Sequence, residues 1–305
     1  MKKFLFKIVP YFTVILIVFA ILGSYADGNT DDDYMHFAVE KPQNIILGDS
    51  RGAQAVVPSV LKEKLGVPFD NFSLNIVYSP YGQIYLKALK RKLDPDTKNG
   101  IFILTVSPWN LSLNHIVKKK EDFPEEKSPL KNMYFYNMSP NYEYLLKNYS
   151  QSWFKIYTER EEVGRSNTFL HKDGWMEVLV DMNKDTVAAR TALKTKEYTA
   201  MMENYSISSE RMKALNDIIS YLKDKGTVYL VRIPTSENLT DIESEKFPEF
   251  NDLMNDVSTK HQVKYYNFAN QYNEFEYTDG NHMYRESGKI FTARIADSVR
   301  ADRKN

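Results

Sequence analysis

Five short runs, at 44–47, 69–74, 101–106, 227–233 and 263–268, constrain this chain more than any other feature. They are too short for independent helices, and several stop abruptly at breakers such as Gly48-Asp49, Ser107-Pro108 and Pro234. The apolar ones, 44–47 and 101–106, are expected as buried strands, and the other three as further strands. Helical patterns separate them. One occupies 58–65, and Pro80 opens a second, where Ile84, Leu86, Leu89 and Leu93 suggest an amphipathic helix. Ser208 caps a third, with Met212, Leu215, Ile218, Ile219 and Leu222 on one side and Gly226 as its stop. A fourth covers 247–261, and a terminal helix runs from Ser287, with Ile290, Phe291, Ala293 and Ile295 as buried candidates. Strands alternating with helices predict an α/β fold, a three-layer sandwich around a central parallel sheet.

The chain has 305 residues, of which 43% are apolar, enough for a substantial core. The alternation breaks down between about 111 and 205. Here lie Lys118-Lys119-Lys120, a proline-bearing stretch at 122–129, a tyrosine-rich run at 134–157 and the polar turn His171-Lys172-Asp173-Gly174-Trp175. A stretch this long is expected to be an insertion with elements of its own, flanking or capping the cleft. The tyrosines suit carbohydrate stacking as well as packing of amphipathic rings.

Residues 1–26 form a distinct segment. The run 8–22 is almost continuously apolar; Lys2, Lys3 and Lys7 precede or flank it, and Asp27 and Asp31-Asp32-Asp33 follow. The length predicts a membrane anchor, and the charge asymmetry predicts a cytoplasmic N-terminus with the rest exported. Ser24-Tyr25-Ala26 leaves a cleaved signal segment open as the rival. Residues 27–42 are expected as a polar linker and 43–305 as the functional domain. Forty Lys and Arg balance forty Asp and Glu, so no basic excess points to nucleic acid. There are no cysteines, and His36, His115, His171 and His261 have no metal-ligand spacing. No phosphate-cradling glycine loop or dinucleotide fingerprint is present, so no cofactor is expected.

Two motifs carry chemistry. Gly48-Asp49-Ser50-Arg51 follows the first strand, and Asp279-Gly280-Asn281-His282 precedes the last helix. A serine hydroxyl becomes a nucleophile when a base takes its proton and a third group holds that base in one tautomer. Ser50, His282 and Asp279 supply those three roles. In an open parallel sheet both motifs would lie beyond the carboxyl ends of strands, where ligand crevices form.

These blocks resemble the SGNH, or GDSL-like, hydrolase family over roughly residues 43–300, apart from the insertion. Gly48-Asp49-Ser50-Arg51 behind an apolar N-terminus is similar in layout to one branch of it. That branch holds the teichoic acid D-alanyl transfer protein and the proteins that O-acetylate alginate or peptidoglycan. The resemblance implies a flavodoxin-like sheet and three oxyanion donors: the nucleophile's own N–H, a glycine N–H and an asparagine amide. This chain departs from the last two. Ser73-Leu74-Asn75 follows the second strand, with no glycine until Gly82, and Ser107-Pro108-Trp109-Asn110 follows the third. Asn110, then Asn75, is the candidate amide, while Arg51 and Arg232 are candidates for holding an anionic group.

The expected activity is acyl transfer to cell-envelope polysaccharide through an acyl-serine, outside the cytoplasmic membrane. The resemblance also implies a multi-pass membrane acyltransferase partner. An esterase acting on envelope glycans and a non-catalytic glycan-binding or assembly protein are the alternatives.

Overall fold

A computed structural model describes residues 2–160 and 167–304. Its strands are β1 (Ile45–Leu47), β2 (Asp70–Asn71), β3 (Gly100–Thr105), β4 (Ser112–Asn114), β5 (Thr168–Leu170), β6 (Met176–Val178), β7 (Tyr205–Ile207), β8 (Gly226–Arg232) and β9 (Lys264–Asn267). The first helices are α1 (Lys2–Gly23), α2 (Ser50–Ala55), α3 (Pro58–Leu65), α4 (Gln83–Lys92), α5 (Pro129–Asn132), α6 (Tyr142–Lys147) and α7 (Trp153–Glu159). There follow α8 (Lys184–Met202), α9 (Ser209–Lys223), α10 (Glu237–Lys246), α11 (Phe250–His261) and α12 (Arg285–Lys304).

A five-stranded sheet in the order β2-β1-β3-β8-β9 forms the centre, and every neighbouring pair is parallel. Ile46 lies opposite Ile103, and Ile103 opposite Tyr229. Side chains alternate between the two faces of such a sheet. Ile46, Ile103, Tyr229 and Val231 pack with Leu61, Phe291 and Ile295 on one face, under α3 and α12. Ile45, Leu47, Phe102, Leu104 and Leu230 pack with Leu89, Leu215, Ile218 and Met254 on the other, under α4, α9 and α11. The result is a mixed α/β architecture with its parallel sheet flanked by helices on both sides; β1, β3 and β8 follow from apolar runs, whereas β2 (Asp70–Asn71) and β9 are polar edge strands.

The stretch expected as an insertion carries its own elements. β4 and β7 pair antiparallel, Ser112 opposite Ile207, so the two ends of the stretch lie side by side. Between them sit the hairpin β5–β6, the short helices α5 to α7 and the nineteen-residue α8. Only Tyr198 of α8 is buried, so its apolar residues form no stripe that periodicity would detect.

Several expectations need correction. Residues 27–42 are not simply a polar linker, because Tyr34, His36 and Phe37 are fully buried in a 3-10 turn. Asp31 Oδ1 accepts the N–H groups of Asp33 and Tyr34, so that acidic side chain organises the turn. The helix expected from Pro80 begins at Gln83. α9 stops at Lys223, and Gly226 is the first residue of β8. The helix expected over 247–261 starts at Phe250, since Pro248 disfavours helical backbone in the residue before it. Ile290 is exposed, because the inward face of α12 is set by Phe291, Ile295 and Val299. Among the described residues, one helix is long and apolar enough to cross a membrane, at Phe6–Gly23.

A buried ion pair joins two of these layers. Lys92 Nζ, on α4, lies 3.1 Å from Asp70 Oδ2 and donates to the His36 carbonyl at 2.9 Å. Burial pushes the Asp70 carboxyl up to about 6 against the opposing pull of Lys92. Removing the cation strands that carboxylate in the core, so Lys92→Met is expected to cost about 3–5 kcal/mol in urea unfolding. Lys92→Met combined with Asp70→Asn should recover much of the loss. A loss below about 1 kcal/mol for the single variant would contradict this account.

Candidate active site

Ser50 is positioned by what surrounds its motif. At Gly48 the chain passes so close to β3 that a Cβ there would lie 1.8 Å from Thr105 Oγ1. Only glycine fits. The next residue, Asp49, is extended and caps α2: its Oδ1 accepts the Arg51 N–H at 3.0 Å. Its Oδ2 accepts from Ser107 Oγ at 3.0 Å and from Asn110 Nδ2 at 3.1 Å. Asp49 therefore ties the start of α2 to the loop after β3. Ser50, the first residue of α2, stands past the carboxyl end of β1, the crevice position of a parallel sheet.

The histidine loop is organised by its aspartate. Asp279 Oδ1 accepts the N–H groups of Asn281 at 3.0 Å and His282 at 2.8 Å. Gly280 adopts φ +80°, and a Cβ there would meet Ser236 Oγ at 2.7 Å, so this motif too needs its glycine. The Thr278 N–H donates to the His282 carbonyl at 2.8 Å and closes the loop.

The fold brings the two motifs together across 232 positions of sequence. His282 Nε2 lies 2.8 Å from Ser50 Oγ, and His282 Nδ1 lies 2.9 Å from Asp279 Oδ2. Burial pushes the Asp279 carboxyl up, but the bonds from the His282 ring and from two backbone N–H groups outweigh it and hold the pKa at about 2. An ionised carboxylate only accepts, so the Nδ1 proton of His282 points at Asp279. The lone pair of neutral Nε2 then faces the serine hydroxyl. This geometry lets a proton pass from Ser50 to His282 while Asp279 holds the ring.

Arg51 and Arg232 do not face the cleft as anion-binding groups. Both are buried against Glu243: Arg51 Nη1 is 2.7 Å from Oε1, and Arg232 Nη2 is 2.9 Å from Oε2. Trp109 Nε1 also donates to Glu243. Burial pushes the Glu243 carboxyl up, but the two arginines outweigh it and hold it below the ordinary carboxylate range. Arg51 Nε donates to Asn281 Oδ1 at 2.9 Å, which turns the Asn281 amide nitrogen toward His282 Nε2 at 3.1 Å. Glu243 and Asn281 were missed as site residues. Asn281 stood inside the histidine motif, but a glutamate in the middle of α10 carries no local signal.

Asn110 is not placed as an oxyanion donor. It is fully buried, its Oδ1 accepts the Ser107 N–H, and its Nδ2 is spent on Asp49 and the Thr105 carbonyl. Asn75 is exposed and shares the cleft wall with Ser50 and His282. Its Oδ1 accepts the Val77 N–H, so its remaining capacity is the Nδ2 donor.

The cleft over the Ser50–His282 pair encloses about 820 Å³. Asp31, Asp32 and Asp33 line it together with Lys127, Lys147 and Arg190, so both signs of charge border it. Burial, with Asp31 and Asp32 beside it, pushes Asp33 up to about 8. Among the described residues no cluster of three or more His, Asp or Glu side chains is arranged to hold a metal ion. No family model and no curated protein matches the chain.

The depressed pKa of Asp279 makes a signed prediction. The stabilisation is complete above an ordinary aspartate pKa of 3.8 and fades as pH falls through about 2. It is worth about 2 kcal/mol at neutral pH. Asp279→Asn should therefore unfold at lower urea than the parent at pH 7, with the gap closing toward pH 2. An unchanged gap across that range would exclude the carboxylate as its source.

Proposed function

We propose that this chain is a membrane-anchored serine acyl-transfer protein of the SGNH kind, acting on cell-envelope polysaccharide outside the cytoplasm. The observation that carries the reading is the contact of Ser50 Oγ with His282 Nε2 at 2.8 Å, backed by Asp279 at 2.9 Å. His282 takes the Ser50 proton as Oγ attacks an ester carbonyl, and Asp279 stabilises the imidazolium that forms. Collapse of the tetrahedral adduct breaks the bond to the leaving alkoxide, which takes the proton from His282 and departs as an alcohol. In the second half His282 deprotonates an acceptor sugar hydroxyl, which attacks the acyl-serine; the adduct collapses by breaking the bond to Ser50 Oγ, and His282 returns the proton to that oxygen and frees the serine.

The Ser50 N–H and the Asn75 amide are the candidate oxyanion donors, each worth several kcal/mol in such sites. The large polar cleft suits a glycan strand better than a long acyl chain. The packing of Ala26 against the core supports retention of α1 as an anchor, because a cut after this residue would fall in packed chain. N-terminal lysines before an apolar segment favour an outward-facing domain, where a multi-pass acyltransferase would supply the acyl group. Partial exposure of Ser50 and His282 also admits water as acceptor, which favours an envelope-glycan esterase as the second reading.

A fluorophosphonate probe is expected to label the wild type and not Ser50→Ala, with labelling of His282→Ala slowed by about 10³-fold or more. Equal labelling of wild type and Ser50→Ala would rule out this nucleophile. Release of acyl groups from a donor ester, followed with and without polysaccharide, separates the two enzymes. The transferase forms acylated polysaccharide, and the esterase forms only free acid.

A further inference from the structure

The end of α1 does not lead away from the domain but is built into it. Phe19 packs edge-on against Trp153 of α7 at 4.8 Å between ring centroids. Tyr142 of α6 donates its hydroxyl to the Ala20 carbonyl at 2.6 Å. A Cβ on Gly23 would lie 2.6 Å from the Tyr142 ring and 3.1 Å from Leu145. Two residues on, Tyr25 meets Tyr157 of α7 at 5.2 Å.

These contacts set a depth. The apolar window Phe6–Gly23 has eighteen residues. At the helical rise it spans about 27 Å, slightly less than the hydrocarbon core of roughly 30 Å. Residues 19–23 are then the last ~6 Å of the span, and whatever touches them sits at lipid or headgroup depth. The side chains beside these contacts are apolar and uncovered. Leu146, one turn beyond Tyr142 on the same side of α6, is 75% exposed, and Phe154, next to Trp153, is 62% exposed. Trp and Tyr at the boundary, with exposed Leu and Phe beside them, are the composition that membrane interfaces favour.

We infer that α6 and α7 form an interfacial foot, in which Leu146 and Phe154 enter the headgroup region of the bilayer that α1 crosses. The inference rests on the reading of α1 as a membrane span, and it deepens the proposed function by placing the cleft. Tyr144 and Lys147, on the side of α6 opposite Tyr142 and Leu145, line the same cleft as Ser50. The cleft therefore begins about one helix width, ~10 Å, from the foot. An acyl donor held in or on the membrane meets Ser50 at the bilayer surface, without diffusing into bulk solvent.

The absence of cysteine allows single-site spin labels in the 305-residue chain. Labels at Leu146→Cys and Phe154→Cys would be measured in phosphatidylcholine–phosphatidylglycerol vesicles, using oxygen and a water-soluble nickel chelate as relaxing agents. Phe12→Cys, within α1, is the lipid control, and Ile290→Cys, exposed on α12, is the aqueous control. The expected result is an oxygen-to-nickel ratio at 146 and 154 several-fold above that at 290 and approaching that at 12. A ratio at 146 and 154 equal to that at 290, with 12 still in lipid, overturns the foot and leaves the anchor standing. Shielding from both agents would mean a protein partner, such as a second copy, and overturns it as well. An aqueous ratio at 12 instead overturns the span on which the inference depends. Labelling of Ser50 by the fluorophosphonate probe is read separately and does not depend on any of these outcomes.

Discussion

The carboxylate of Asp49 joins the two features on which this molecule is built, a parallel sheet and the Ser50–His282 pair at its edge. One oxygen caps α2 and the other accepts from Ser107 and Asn110, beyond β3. Those loops face each other because β1 and β3 run parallel, with Leu47 opposite Leu104. The chain can approach β3 this closely because position 48 has no side chain. Asp49 is itself 3% exposed, so losing it would leave the buried Ser107 hydroxyl without this acceptor and the Asn110 amide with the Thr105 carbonyl alone. The position of Ser50 is thus a consequence of sheet register and of one buried acceptor rather than of the serine itself.

A second buried group connects the two halves of the site from below. Glu243 on α10 holds Arg51 beside the serine and Arg232 on β8, and Arg51 in turn orients Asn281 beside His282. Buried ions are costly to desolvate and contribute little net stability. Their effect here is orientation: the serine helix and the histidine loop share partners that are fully enclosed. Arginine suits the role, since its fork reaches the carboxylate and the amide at once.

The elements legible in the sequence were those whose signal is local. Strands β1, β3 and β8 are runs buried on both faces, and the Ser208 cap of α9 sits where the chain announces it. The elements that were not legible depend on neighbours distant in sequence. α8 buries Tyr198 alone and otherwise meets the core only with its last residues, Met201 and Met202, while residues 34–37 disappear into the core although aspartates precede them. Ile290 points outward because the packing of Phe291, Ile295 and Val299, not the apolarity of the residue, decides which side of α12 is covered. Arg51 looked like a ligand for anions because it follows the serine, but its partner Glu243 is 192 positions away.

By itself the sequence determined the chemical inventory: a hydroxyl, an imidazole and a carboxylate in two motifs, each with the glycine its backbone needs. It also determined an α/β alternation able to place both motifs at one edge, because burial and capping act over a few residues. Only the tertiary structure decided that Ser50 and His282 meet at 2.8 Å, that Asn110 is spent on Asp49 while Asn75 faces the cleft, and that α1 is packed against α6 and α7. Those outcomes depend on strand register and on side chains competing for the same buried acceptors. Such competition is settled between residues far apart in the chain, where local spacing carries no information.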